Sequence, residues 1–305
     1  MPGRPGAVYF IDASYFVFRA YHSMPADMVD AQGNATHALY GFARFLSDLI
    51  EQVRPERIGV AFDTSLRSET SFRNRIYPAY KANRESPPED LARQFVLCRE
   101  FCRHLGLAEF AHDEYEADDI IGTLSARARA SGLASVLVTR DKDLSQLVRD
   151  GDVFWDYSAN ARYHYHDIGP RFGVLPERIA DFLALTGDAV DNIPGVPGIG
   201  KKTAGELFAV FASLDELYAD LDRVATLKLR GAAGIAAKLR AHKEAAYFAR
   251  RLTGIVCDIP LTASLDDLKR RAPDTQSLER FFDSQGFGRM LRVQAQRIAA
   301  AHAGH

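Results

Sequence analysis

The sequence predicts an α/β protein, with a mostly parallel sheet flanked by helices and a mainly helical C-terminal region. Three observations carry this expectation. Short apolar runs at Val8–Ile11, Arg57–Phe62 and Ser135–Thr139 have the length and content of buried strands. Segments with apolar residues at helical spacing lie between them, the order that builds parallel sheets. Beyond Pro176 helical spacing dominates, interrupted by one Gly/Pro cluster.

In chain order, Val8–Ile11 reads as the first strand and ends at Asp12. Thr36–Val53 is a helix, carrying Leu39, Phe42, Ala43, Leu46, Leu49 and Ile50 on one face and closing before Pro55. Arg57–Phe62 is the second strand and ends at Asp63. Periodicity is lost from Thr64 to Asp90, a stretch rich in Arg, Tyr, Ser and Pro; loops of that length are usually functional or mobile. Leu91–Leu105 and Glu116–Ala130 are helical, and Ser135–Thr139 leads into Arg140-Asp141-Lys142-Asp143. Ile179–Leu185 and Thr203–Phe211 are helices on either side of the Gly/Pro cluster. Arg289–Ala301 closes the chain as an amphipathic helix with a frayed tail. The expected organisation is a core over 1–176, a helical region over 177–290 and a tail over 291–305.

The composition, 47% hydrophobic and 26% charged, is that of a globular protein able to bury a sizeable core. No apolar run approaches the roughly 20 residues that span a bilayer, and Ala7–Ile11 is too short for a signal-peptide core. Cys98, Cys102 and Cys257 make no disulfide framework. Packed free thiols suit a reducing cytoplasm, which is the expected location. A net charge of −2 lacks the basic excess usual in nucleic-acid binders. The charge is nevertheless clustered: acids near strand ends, bases at 67–84, at 201–202 and in the last third. Local fields steer polyanions more than the total does.

Asp12, Asp63, Asp141 and Asp143 follow the three strands, whose C-terminal ends converge on the ligand-binding edge of an open parallel sheet. Glu116, Asp118 and Asp119 open a helix, where negative charge is tolerated. Asp188 and Asp191 precede the Gly/Pro cluster. Each acid alone reads as a cap or a solvated charge. Nine aimed at one region would repel and take up protons unless cations neutralise them. Oxygen donors without Cys or His select Mg²⁺ or Mn²⁺ over Zn²⁺. Two such ions can activate water and stabilise both oxygens of a phosphodiester displacement.

Phe10-Ile11-Asp12-Ala13-Ser14, Phe62-Asp63, Glu116-x-Asp118-Asp119, Asp141-Lys142-Asp143-Leu144 and Gly187-Asp188-x-x-Asp191-Asn192 resemble, in order, the motifs of the 5′ nuclease superfamily. That superfamily includes flap endonucleases, phage 5′ exonucleases and the N-terminal domain of bacterial DNA polymerase I. The resemblance implies a PIN-like core. Asp63, Glu116, Asp118 and Asp119 would hold one metal with Asp12 nearby, and Asp141, Asp143, Asp188 and Asp191 the other. It implies a Mg²⁺-dependent 5′-3′ exonuclease and flap endonuclease in DNA replication and repair. The expected partners are DNA flaps, nicks and 5′ ends, with RNA primers a further possible substrate. The chain is expected to act as a monomer, and its end near 305 without a polymerase pattern reads as a free-standing nuclease. The spacing from Asp63 to Phe72, which contains Arg67, is a little longer than in the polymerase I branch.

The run Phe72–Arg84 interleaves cations with rings, which suits single-stranded nucleic acid: cations track phosphates and rings such as Tyr77 and Tyr80 stack bases. The bland reading is a solvated loop. Tyr80-Lys81-x-x-Arg84 matches the family's arch, here about 64–95, so Lys81 and Arg84 are implied at the scissile phosphate, with Arg73 near it or near the 5′ end. Gly195-x-x-x-x-Gly200-Lys201 nearly fits a P-loop, but Lys202 stands where Ser or Thr should be and no strand precedes it. The segment reads instead as a turn between two helices. Gly195, Gly198 and Gly200 would let backbone amides approach phosphates, helped by Lys201 and Lys202. By resemblance this is a helix–three-turn–helix gripping duplex DNA, with K⁺ a possible bound ion. His164 and His166, alternating with Tyr163 and Tyr165, read as one face of a strand in an exposed hairpin. Alternatives of other classes are a non-catalytic DNA-structure binder, a small PIN-type RNA nuclease and a metal phosphatase. The intact acid set, the chain length and the 64–90 loop weigh against them in turn.

Overall fold

The computed structural model describes residues 6–64 and 71–303; Arg67 lies outside them. Chain order is β1 (Val8–Asp12), α1 (Ala13–Ser23), α2 (His37–Val53), β2 (Arg57–Ala61), α3 (Phe72–Ile76), α4 (Glu89–His104), β3 (Ala108–Phe110) and α5 (Ala117–Ala130). There follow β4 (Ser135–Val138), β5 (Val153–Asp156), β6 (Ala161–Tyr163), α6 (Tyr165–Phe172), α7 (Ile179–Thr186), α8 (Lys201–Val210), α9 (Leu214–Ala219) and α10 (Leu221–Thr226). The chain closes with α11 (Ala232–Ala241), α12 (Lys243–Thr253), α13 (Thr275–Ser284) and α14 (Arg289–Ala303).

The six strands run in the order β3-β2-β1-β4-β5-β6. All pair in parallel except β5 with β6. The chain builds outward from β1 to β2 and β3, then returns to place β4 on the other side of β1. That reversal between β1 and β4 leaves the crevice in which open α/β sheets bind ligands. Strand alternation explains why the strands are apolar throughout. Val8 and Phe10 pack with Leu137 into the core beneath α5, α7 and α12, whereas Tyr9 and Ile11 pack with Val136 and Val138 against α1, α2 and α4.

Two expectations are corrected. His164 and His166 do not share a strand face: β6 ends at Tyr163, His164 caps α6, and His166 lies within that helix. The C-terminal helix is not a tail. Ordered to Ala303, it buries Leu291, Ala295 and Ile298 in the core shared with α2, as do Leu278, Phe281 and Phe282 of α13. No helix among the described residues is long and apolar enough to cross a membrane.

Candidate active site at the C-terminal edge of the sheet

The acidic residues meet beyond the C-terminal ends of β1, β2 and β4. Asp12 ends β1 and accepts from the Tyr15 amide at 3.2 Å and from Thr139 Oγ1 at 2.7 Å. Thr139 in turn accepts from the Asp141 amide at 2.9 Å. Asp63 follows β2; its amide donates to Ser14 Oγ at 3.0 Å, and its carboxylate accepts from the Ala117 amide at 2.8 Å. This ties the second strand to the start of α5, where Glu116 and Asp118 sit. Asp188 accepts from the Val190 amide at 2.9 Å in a tight turn closed by reciprocal 2.8 Å bonds with Ile193. Glu116, Asp118, Asp143, Asp188 and Asp191 line one small cavity. Asp63 and Glu116 also face a larger recess of about 690 Å³ that Lys81, Arg84, Tyr21, His22 and His112 help to line.

Electrostatics show how crowded the cluster is. Burial first, then neighbouring Asp141 and Asp63, push Asp12 up to about 7 against the Thr139 hydrogen bond. Asp143 is likewise pushed up to about 7 by burial and Asp141. Asp118 is raised well above the usual range by burial and by Asp141, Asp12, Asp63 and Glu116 together, and no donor among the described residues reaches its carboxylate. Asp63 rises through burial and Glu116. Glu116 is the exception: burial would raise it, but Lys81 and Arg73 prevail and lower it.

The basic residues divide into two groups. Lys81 Nζ stands 3.0 Å from Glu116 and 4.0 Å from Asp191, its backbone held at φ 54° by a 3.0 Å bond from its amide to the Asp191 carbonyl. Arg84 also pairs with Asp191. Lys142, absent from the sequence-derived set, bridges Asp143 at 3.0 Å and Asp188 at 2.8 Å. The Lys81 and Lys142 ammonium groups thus lie between carboxylates of different elements, and the Arg84 guanidinium against one.

Arg73 lines the small acidic cavity, 3.7 Å from Glu116, rather than the larger recess, and its guanidinium is already taken by the protein. It is buried, doubly bonded to Asp119 at 2.7 and 2.8 Å, and donates to the carbonyls of Leu252 and Gly254, each at 2.9 Å. Asp119 also accepts from the Glu116 and Val256 amides, which fills it and removes it from the open acidic set. Tyr80 is corrected. Its ring is buried rather than offered to a base, and its hydroxyl lies 3.1 Å from Glu116 and 3.2 Å from Asp191. Tyr77 packs edge-on against Phe248. Ser14, Thr139 and Lys142 were missed as site residues, although each stands inside or beside a run the sequence marks: Phe10–Ser14 for the first, Ser135–Asp143 for the other two.

Among the described residues no three carboxylates already converge on one coordination point. The donor set nevertheless fits hard divalent ions. Every donor is oxygen, Asp12 and Asp143 stay raised despite their hydrogen bonds and Asp118 has none to offset its neighbours, and Lys142 occupies a cation's place between Asp143 and Asp188.

Past Asp188 and Asp191 the chain forms the second part of the site. Gly187 ends α7 at φ 75°. A Cβ on Gly195 would lie 2.4 Å from the Gly187 amide nitrogen, so the turn closes only with glycine there. The turn continues through Gly198 and Gly200 to α8, whose first turn carries no acid. Lys201 and Lys202 are exposed at that N-terminus.

An open, mostly parallel sheet with a carboxylate edge and a glycine hairpin beside it defines an α/β fold with a site for hard cations. Residues 7–173 match the family described as 5′-3′ exonuclease, N-terminal resolvase-like domain, and residues 174–276 match its C-terminal SAM fold; the chain belongs to the 5′-3′ exonuclease family. It is 39% identical over 269 residues to DNA polymerase I of Pseudomonas aeruginosa, covering 88% of this chain and 29% of that protein. It is 36% identical over 300 residues to DNA polymerase I of Mycobacterium tuberculosis, covering 96% and 32%. The chain thus spans about a third of the length of these curated relatives. Among solved structures, T5 5′-exonuclease with bound divalent metal ions (zinc) aligns with a TM-score of 0.65 at 18% identity, covering 96% of this chain and 98% of that one. The catalytic core of Rad2 in complex with DNA substrate aligns at 0.62 and 15% identity, covering 96% and 91%. These two likenesses show the fold.

Proposed function

We propose that the chain hydrolyses DNA phosphodiester bonds at 5′ flaps and 5′ ends, as a structure-specific nuclease dependent on two divalent metal ions. The observation that carries this reading is the unrelieved carboxylate crowding around Asp118, beside a recess lined by Lys81 and Arg84. Asp63, Glu116 and Asp118, with Asp12 behind them, would hold one ion; Asp141, Asp143, Asp188 and Asp191 would hold the other. Bound there, Mg²⁺ (or Mn²⁺ in its place) would supply a more acidic water and offset charge on the phosphate.

The chain's own groups supply the rest. Lys81 and Arg84, now paired with Glu116 and Asp191, stand where a phosphate in the recess would be met and its developing negative charge stabilised. Tyr80 and Lys142 hold carboxylates of separate elements in register. The Asp188–Ile193 turn couples the acid edge directly to the hairpin, so a duplex held at Gly198, Gly200, Lys201 and Lys202 would present its 5′ strand to the recess. Water oxygen bonds to phosphorus and the P–O3′ bond breaks, leaving a 5′-phosphate and a 3′-hydroxyl. The same reading includes action on RNA primers, K⁺ at the glycine turn and a monomeric state.

Cleavage of a 5′-labelled flap duplex, with Mg²⁺ and with EDTA, beside a plain single strand, tests it. Mg²⁺-dependent release of the flap near its base is expected. Retained flap binding without cleavage would replace it with the non-catalytic DNA-structure binder.

A further inference from the structure

A second cavity, of about 570 Å³, lies at the opposite edge of the sheet. It is bounded by the end of α2, the Pro55–Glu56 turn before β2, the 269–270 segment and the last turns of α14. Asp63 lies beyond the far end of β2, so this five-residue strand, about 16 Å at 3.3 Å per residue, separates the cavity from the acidic edge. The cavity belongs to neither the carboxylate site nor the hairpin.

Its chemistry is unlike theirs. Ile50, Pro55 and Ile298 give it buried apolar walls. Arg270 is anchored by its amide, which donates to the Glu56 carbonyl at 3.0 Å, while its side-chain Nε is buried with no hydrogen-bond partner. Arg270 is partly buried, and a cation that gives up part of its hydration is ordinarily compensated by a partner. Arginines elsewhere near the acidic edge have an acid: Arg73 has Asp119 and Arg84 has Asp191. Around this cavity Arg297 is engaged with Glu51, Glu56 with Arg57 and Lys269 with Asp266. Arg54 and Arg270 are in no ion pair among the described residues. Burial lowers the Arg270 pKa with no acid to restore it. The C-terminal ends of α2 and α14 also face the space and carry partial negative charge. The cavity therefore suits a single anionic group beside the arginines rather than a polyanion.

We propose that this cavity is a second binding site, for a small organic anion with an apolar body, in which Arg270 and Arg54 take the anionic group and Ile50, Pro55 and Ile298 take the body. The volume falls within the range of small-molecule sites, which combine apolar walls with a few fixed polar groups.

The probe is 1-anilinonaphthalene-8-sulfonate, a sulfonate on an aromatic body, titrated by fluorescence into the full chain with flap DNA and Ca²⁺ present to fill the acidic recess. One saturable site is expected. Arg270→Met, which keeps the stem and removes the charge, should weaken it at least tenfold. Arg54→Gln, at an exposed position, should weaken it severalfold and serves if Arg270→Met fails to fold. Deoxyadenosine monophosphate should displace the probe at lower concentration than inorganic phosphate if the apolar body contributes; equal displacement would reduce the site to an anion site without an apolar subsite and overturn the assignment of the walls. Probe affinity unchanged in both variants, or no saturable site, would overturn the proposal. None of these outcomes depends on nuclease activity.

Discussion

Replacing Arg73 with Met separates two roles for this residue, a buried clamp and a phosphate contact. Its side chain is 4% exposed and that of its partner Asp119 is 0%, so the substitution strands a carboxylate in the interior. Breaking such a pair from one side costs about 3–5 kcal/mol. At roughly 2–4 °C per kcal/mol for a chain of this size, the melting temperature should fall by about 6–20 °C. The clamp joins α3, the start of α5 and the segment at the end of α12. Glu116 and Asp118 should therefore loosen along with it, and cleavage by the molecules still folded should fall as well. Arg73→Met/Asp119→Leu removes both charges but leaves the Leu252 and Gly254 carbonyls and the Glu116 and Val256 amides unmatched. Recovery should be partial, with the double variant less destabilised than the sum of the singles by about 2–3 kcal/mol. Circular-dichroism melts of the four proteins, beside flap cleavage at a temperature where all are folded, measure both quantities. If Arg73→Met melts within about 2 °C of the parent yet loses cleavage, the clamp reasoning fails and Arg73 acts on the phosphate.

Lys81→Ala should slow single-turnover cleavage by about 10²-fold while flap affinity changes little, because its charge matters most as negative charge develops; equal losses in binding and rate would make it a generic phosphate contact. Lys201→Glu/Lys202→Glu should flatten the salt dependence of duplex binding by about 0.9 per lost phosphate contact, and an unchanged slope would remove the hairpin from the interface. In the metal-free chain Asp12 and Asp143, raised to about 7 from 3.8, keep protons that the unfolded chain has released. The folded state thus binds more protons between about pH 4 and 7, and these groups make it less stable as pH rises through that window. The Mg²⁺-induced rise in melting temperature should therefore be larger at pH 7.5 than at pH 5, and a rise independent of pH would contradict it. Tyr80→Phe keeps the buried ring but deletes the hydroxyl beside Glu116 and Asp191, so cleavage should fall; full activity would show that this hydroxyl is not needed to hold the two carboxylates.

The sequence revealed what depends on local pattern. Runs buried on both faces marked β1, β2 and β4, and an acid after each was enough to place the edge where the site forms, because parallel strands bring their C-terminal ends together. The short strands β3 and β5 went unread: β3 has three residues, all partly exposed, and β5 is four residues next to turns, too brief for periodicity to register. Direction was the harder matter. In Phe72–Arg84 the interleaving of rings and cations signals contact with something negative, but it does not say whether that partner is a nucleic acid or the protein's own carboxylates. Arg73 turned inward from α3, a short helix capped by Ser71, to bond Asp119 in the first turn of α5, and Tyr80, four residues past that helix, turned its hydroxyl to Glu116 and Asp191. Lys81 and Arg84 stayed at the recess because the chain after Tyr80 reverses, with Lys81 at positive φ. Spacing along the sequence identified the residues that meet; only the three-dimensional pairing of Arg73 with Asp119 and of the Tyr80 hydroxyl with Glu116 and Asp191 showed that these two hold the cavity wall together.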